Sequence, residues 1–373
     1  ELDGLIKSNH DMGSVIQTLT EEIATLKASA SRVRLTPSAE PREDMHGITT
    51  KVAWKTASDF FKDPTGKRNK ALAFEVPHFI HEKDGKEVVH PDVPLVDENY
   101  RFRRKVLVKL LTGIALGKNT WLHGHTGTGK STLVQQVCAR LGMICHRVNL
   151  DSGLERSDLT GNTELREHKG ATVSEFLEGI IPQAMQQPCV LLLDEIDFAK
   201  TDVLYVIQAA LENAGLRLTE DNGRMVYPNQ HFRFIATGNT KGQGDEYGIY
   251  MGARVLSGAT LDRFQSFIHV PYMDKDDEQA VLESVVPSIS SDLAGKMVQF
   301  ASEVRRAFMN GEIGTPLSPR GLHTLAELYA FYQPTSRTDK AALDQALEQV
   351  MLDKVTDDGQ QCIRNLIDTT ISL

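Results

Sequence analysis

One stretch limits what this chain can be more than any other: Trp121-Leu-His-Gly-His-Thr-Gly-Thr-Gly-Lys-Ser-Thr132. It fits the pattern G-x-x-x-x-G-K-S/T of a phosphate-binding loop. Trp121 and Leu122 read as the end of a strand. Leu133, Val134, Val137, Ala139 and Leu141 read as the buried side of the helix that follows. Gly124, Gly127 and Gly129 let the backbone turn tightly and approach an anion without a Cβ in the way. The amides of His125, Thr126, Thr128 and Thr132 belong to the same cradle, and the helix N-terminus adds partial positive charge. Lys130 is expected to reach the β- and γ-phosphates, and Ser131 to place its hydroxyl on Mg²⁺.

The 373 residues suffice for two or three domains, with 40% hydrophobic and 24% charged residues, as in an ordinary globular protein. The net charge of −9 argues against a general polyanion-binding surface. None of the four cysteines, Cys138, Cys145, Cys189 and Cys362, belongs to a C-x-x-C pair. Reduced thiols in a cytoplasmic protein are therefore expected, with no disulfide or zinc site. No apolar run approaches the ~20 residues that cross a bilayer, and no signal-peptide pattern opens the chain.

Ile16, Leu19, Ile23 and Leu26 are spaced three, four, three, which predicts an amphipathic helix over 1–30, suited to oligomerisation or docking. Residues 28–70 are polar and read as a linker. Their basic cluster, Lys62, Lys67, Arg68 and Lys70, is expected to be a solvated loop. The prolines from His90 to Tyr100 hold the chain extended, and Arg101 to Leu116 read as a helix. After the loop helix, Met143 to Leu150 read as a strand, Asp158 to Gly161 as a turn, Leu165 to Thr172 as a small hairpin and Val173 to Met185 as a helix.

Two later strands end in chemistry. Cys189-Val-Leu-Leu-Leu-Asp-Glu-Ile-Asp197 is an unbroken apolar run with acids at its tip, the signature of a buried parallel strand. Ligands sit at such tips in open α/β sheets. Asp194 is expected to hold Mg²⁺, and Glu195 to activate the attacking water. Phe232 to Asn239 form a second such strand, with Asn239 placed to hydrogen-bond that water or the γ-phosphate. A helix over Val203 to Asn213 and a hairpin over Leu216 to Phe232, turning at Asp221-Asn-Gly223, lie between them. A glycine-rich loop follows over 240–258. Arg263 then stands at a helix end, and Arg320 opens a helix in a mostly helical C-terminal region.

These motifs together resemble the MoxR branch of the AAA+ ATPases, in particular the CobS-like ATPase subunits of aerobic cobaltochelatase. The resemblance spans roughly residues 90–335. It rests on His90-Pro-x-Val-Pro-x-Val-Asp-x-x-Tyr, the glycine loop, Arg147-Val-Asn-Leu-Asp, Asp158-Leu-x-Gly, Leu193-Asp-Glu-x-Asp, Val206-Ile-Gln, Ala236-Thr-Gly-Asn-Thr and Asp262-Arg-Phe. It implies an α/β P-loop NTPase core, a parallel sheet between helices, over 90–272. A C-terminal α-helical lid over 273–373 follows from the same likeness, while the residues themselves give an N-terminal extension, with a helix over 1–30 and a linker and small region over 31–89. Lys130, Ser131, Asp194 and Glu195 are then the Walker A and B residues, Asn239 sensor 1 and Arg320 sensor 2. Arg263 becomes the arginine finger offered to a neighbour, with Arg254 as second candidate.

The resemblance further implies ATP and Mg²⁺ as cofactors and a homo-oligomeric ring, usually hexameric. It implies a protein partner with a von Willebrand factor A domain (CobT-like), in the cytoplasm of a bacterium or of a phage-infected one. The region before about residue 85 departs from the cobaltochelatase pattern, so remodelling of a partner protein is expected rather than cobalt insertion. One alternative is a nucleic-acid motor, with Arg166, Lys169, Arg217 and Arg224 on the two hairpins lining a pore, and the other is a true cobaltochelatase ATPase subunit.

Overall fold

The computed structural model describes residues 47–62, 70–151, 153–168, 171–212, 214–245, 250 and 252–371. The expected helix over 1–30, the tip at Lys169-Gly170 and much of the basic cluster near Lys67 lie outside the described residues. From Ile48 onward the chain forms one body.

Residues 49–60, assigned above to a linker, are instead strand β1 (Thr49–Thr56) and a short helix α1 (Ala57–Phe60). β1 pairs antiparallel with β2 (Glu75–Lys83), which pairs with β3 (Lys86–Val88). Composition hid β1 because its residues are exposed or only half-buried, so its threonines and lysines raise the polar count without breaking the ladder. The sheet is fixed to the rest of the body where His81 Nε2 meets the Gly142 carbonyl at 2.8 Å.

The core opens with helix α2 (Arg104–Ala115) and strand β4 (Thr120–His123), then helix α3 (Lys130–Leu141) and strand β5 (Ile144–Asn149). Helix α4 (Arg156–Thr160) replaces the expected turn, held by a capping box between Glu155 and Asp158. The first hairpin is longer than its sequence suggests: β6 (Gly161–His168) pairs with β7 (Ala171–Glu178) over eight residues, from Gly161↔Glu178 to His168↔Ala171. The helix expected from Val173 is therefore only α5 (Ile180–Met185). Thr172, Val173 and Phe176 favour a strand, and the ladder overrides the helical spacing.

Next come β8 (Cys189–Asp194), α6 (Thr201–Leu211), the short pair β9 (Leu216–Leu218) and β10 (Arg224–Val226), β11 (Arg233–Gly238), α7 (Gly258–Asp262) and β12 (Ser266–His269). The main sheet has the order β12-β4-β11-β8-β5, with all neighbours parallel. All six residues of β8 and all six of β11 are buried. Apolar groups of α2 and α3 cover one face and those of α5 and α6 the other. Each buried large aliphatic side chain on these strands contributes about 1.5–3 kcal/mol. Their order leaves the C-terminal tips of β4, β11 and β8 side by side, where a ligand is received.

A separate helical core follows: α8 (Lys275–Val285), α9 (Ser291–Met309), α10 (Pro319–Tyr332), α11 (Asp339–Val350) and α12 (Asp357–Thr370). Ser290, Ser318 and Thr338 cap α9, α10 and α11 through their side chains.

Candidate nucleotide site

Strand β4 delivers the glycine loop to the N-terminus of α3, as its sequence predicts. Gly124 has φ +157° and Gly127 φ +78°. A Cβ at Gly124 would overlap the Val270 carbonyl oxygen, and one at Gly127 the Cβ of Ser318. Only glycine satisfies both the conformation and the space, and the second contact brings the cap of α10 against the loop. Arg103 braces the loop from outside, with Nη2 donating to the Thr128 carbonyl at 2.6 Å and Nη1 to that of Pro271. Thr128 Oγ1 donates to the His125 carbonyl at 2.9 Å. The Tyr250 hydroxyl lies 2.8 Å from His125 Nδ1 and accepts from the Thr126 N–H at 3.2 Å. Thr132 is exposed on the first turn of α3.

Lys130 is buried and its ammonium donates to the carbonyls of Gly124 (2.7 Å) and His125 (3.1 Å) and to Asn239 Oδ1 (2.9 Å). Burial lowers it to about 8 against the pull of Asp197, Asp194 and Glu195. One side chain thus ties the loop to the tip of β11, bringing together Gly124, Lys130 and Asn239 as expected.

The tip of β8 holds the acids. Asp194 Oδ1 accepts from Ser131 Oγ at 2.7 Å and from Thr237 Oγ1, while Oδ2 accepts from Arg147 Nε at 2.8 Å and from its Nη2. Burial works to raise this carboxyl, but the two hydroxyls and the guanidinium outweigh it and hold it below the usual range. Glu195 sits at φ +59°, ψ +42°, a left-handed conformation that a glutamate adopts only at a cost of about 1–3 kcal/mol. Partial burial, then the neighbouring Asp194 and Asp197, raise its carboxyl. A base drawn toward neutrality serves proton abstraction from water. The Oδ2 of Asp197 accepts from the N–H groups of Asn239 (2.7 Å) and Thr240 (2.8 Å) and so fixes the β11 tip.

The three arginines separate. Arg320 is exposed on the first turn of α10, two residues beyond the serine that abuts Gly127. Arg263 lies at the other end of the sheet: Asn119, just before β4, donates to the Arg263 carbonyl at 3.1 Å. The four residues of β4 separate that point from the loop, about 13 Å at 3.3 Å each. Its guanidinium pairs with Glu212 and donates to the Ala259 carbonyl at 2.6 Å. Arg254 is exposed, and its N–H donates to the Asp197 carbonyl at 2.7 Å, close to its own chain's acids.

Sequence reasoning gave no role to Arg147, Asp197, Arg103, Tyr250 or Tyr272. Asp197 and Arg147 stood within the quoted motifs, so a signal was present for both. The others reach the loop across long sequence separations and left none. On the hairpins, Arg166 pairs with Glu164 and Glu175, and Arg224 with Glu178 and Asp221. These charges face their own acids.

Residues 119–264 match the AAA domain (dynein-related subfamily). The chain is 38% identical over 239 residues to the aerobic cobaltochelatase subunit CobS of Sinorhizobium sp, covering 63% of this chain and 72% of that one. It is 26% identical over 266 residues to the uncharacterized YojN of Bacillus subtilis strain 168, covering 71% and 82%. Among solved structures, the Thermotoga maritima RuvB Holliday junction branch migration motor overlays with a TM-score of 0.44 at 13% identity, covering 72% and 75%. With the glycine loop, the acid-tipped β8 and the parallel order of the five strands, the CobS match assigns the chain to the MoxR-like AAA+ ATPases of the CobS-like kind.

Proposed function

We propose that this ATPase hydrolyses ATP between neighbouring copies of itself and uses the energy to remodel a partner protein. The observation that carries the proposal is the division of the site. The loop, Lys130, Asp194, Glu195 and Asn239 converge at one end of the sheet, while Arg263 stands at the opposite end. Arg263 cannot serve its own chain's phosphates across the length of β4, so its use as a catalytic guanidinium requires a second protomer. A ring, by family hexameric, provides one.

Within the site, Lys130 and the loop amides hold the β- and γ-phosphates. Glu195 accepts a proton from the attacking water while Asn239 orients it. The neighbour's Arg263 offsets charge growing on the transferred group, an effect worth ~10³–10⁵ in rate. Ser131 and Asp194 supply hard oxygen donors, and no cluster of three or more histidine, cysteine or acidic ligands stands among the described residues. That donor set suits Mg²⁺, which keeps waters and phosphate oxygens as its other ligands and supplies charge neutralisation when bound. Arg320, on the lid helix beside Gly127, senses the γ-phosphate and passes its loss to the lid.

Similarity to CobS, a subunit of aerobic cobaltochelatase, supports a protein partner; the family resemblance gives that partner a von Willebrand factor A domain and a cytoplasmic setting. The internal pairing of Arg166 and Arg224 weighs against a nucleic-acid track. Glu195→Gln should bind ATP and lose about 10²–10⁴ of the hydrolysis rate. The ring trapped by that variant in ATP should retain a protein on affinity capture, and duplex or single-stranded DNA should not stimulate the wild type. Wild-type rates in Glu195→Gln, or steep salt-sensitive stimulation by DNA, would refute the respective parts.

A further inference from the structure

A second concavity lies beside the phosphate loop. Its volume is about 240 Å³, some eight water volumes at roughly 30 Å³ each and below the roughly 300–1,000 Å³ of sites that take drug-sized molecules. A small ion fits. Its wall includes His123, His269, Lys241, Gln243, Tyr250 and Asn239.

Two parallel strands build its floor. His123 and His269 end β4 and β12, are paired in register, and stack at 5.1 Å with 27° between the rings. Trp121 and Phe267, two residues earlier on the same strands, stack in the same way at 5.8 Å. Burial, then the nearby histidine and Lys241, lowers His123 to about 4, and burial with Lys241 lowers His269. Both rings therefore offer N–H donors while neutral. Lys241 supplies the positive charge, and Asp245 is the one acid among the described lining residues.

The cavity shares a wall with the position Lys130 serves. The three groups that accept from Lys130, the carbonyls of Gly124 and His125 and the amide oxygen of Asn239, belong to residues that also line the cavity.

We infer that this cavity receives inorganic phosphate after cleavage, held by Lys241, His123, His269 and Gln243. The inference rests on the hydrolysis of ATP proposed above. In that reaction the water oxygen bonds to the γ-phosphorus, and the bond to the β–γ bridging oxygen breaks with its electron pair going to ADP. The water proton passes through Glu195 to solvent. The resulting phosphate is then on the Lys130 side of Asn239 while ADP still fills the cradle, and a swing of Asn239 admits it to the second space.

The test titrates inorganic phosphate into protein saturated with ADP, followed by calorimetry, for the wild type, Lys241→Ala and His269→Ala. Both side chains are exposed, so the fold tolerates their loss. Saturable phosphate binding with ADP in place is expected, weakened about tenfold or more in each variant, with ADP affinity unchanged. Phosphate affinity equal in variants and wild type, or no phosphate binding to the ADP-loaded wild type, overturns the inference. Failure of the wild type to bind ADP at all would count against the ATPase reading instead, and phosphate titrated into the protein alone would still decide the pocket.

Discussion

Asp197 shows how much one side chain can fix at this site. It is fully buried, and one carboxylate oxygen takes the N–H groups of Asn239 and Thr240. The other finds no hydrogen-bond partner in the described structure. Asp197→Ala removes the acceptor for two backbone donors, at about 1–3 kcal/mol for each group left unpaired. The expected outcome is a lower Tm together with a loss of hydrolysis greater than any loss of ATP affinity, because Asn239 no longer faces Lys130. Thermal melts and ATP titrations on the same preparation would check it. Unchanged turnover would mean that the β11 tip does not depend on this carboxylate. Gly127→Ala makes a second residue-scale case: its Cβ would strike Ser318 in a backbone conformation alanine avoids. Weakened nucleotide binding with an altered lid is the expected result, read by ATP titration and protease sensitivity of α10.

Among elements, α10 depends on a buried ion pair. Arg305 and Glu278, each at most 4% exposed, make two hydrogen bonds of 2.7 and 2.6 Å, and Arg305 Nε donates to the Leu317 carbonyl at 2.7 Å. The guanidinium also lies over the Tyr272 ring at 4.5 Å, and Tyr272 reaches the loop through a bond to the Thr126 carbonyl at 3.3 Å. This chain of contacts sets the segment from which Ser318 and Arg320 project. Glu278→Ala leaves the guanidinium buried without its partner, a change worth about 3–5 kcal/mol, and should appear as early melting of the lid helices by circular dichroism. The elements that sequence revealed and those it hid differ for a physical reason. β4 with its loop, β8 and β11 are continuous apolar runs ending in charged or amide groups, so a few adjacent residues declare both strand and site. β1 and β7 are exposed or half-buried strands held by their ladders, and polarity carries little trace of such pairing. The contacts from Arg103 to Thr128 and between His123 and His269 depend on strand order, which no local pattern contains.

For the whole molecule, two consequences stand out. Burial lowers eight histidines in the fold: His78, His81, His90, His123, His125, His231, His269 and His323. Each prefers its neutral form in the folded state and takes a proton more readily when unfolded, so their contribution is intact above pH 6.5. It is lost as the pH falls toward 4, where His123 titrates in the fold. Tm should therefore drop between pH 6.5 and 4, and His123→Asn should make that slope shallower; an identical slope would remove His123 from the cause. The second consequence is that of the proposed shared site, tested by mixing two proteins each expected to be inactive alone. Lys130→Ala lacks the phosphate-binding ammonium but keeps Arg263, and Arg263→Ala keeps the phosphate loop but lacks the guanidinium. Mixed in equal amounts, they should regain a measurable fraction of the wild-type ATPase rate, because some interfaces then hold an intact loop beside an intact arginine. Mixtures that assemble but stay as inactive as either protein alone would contradict a nucleotide shared between protomers.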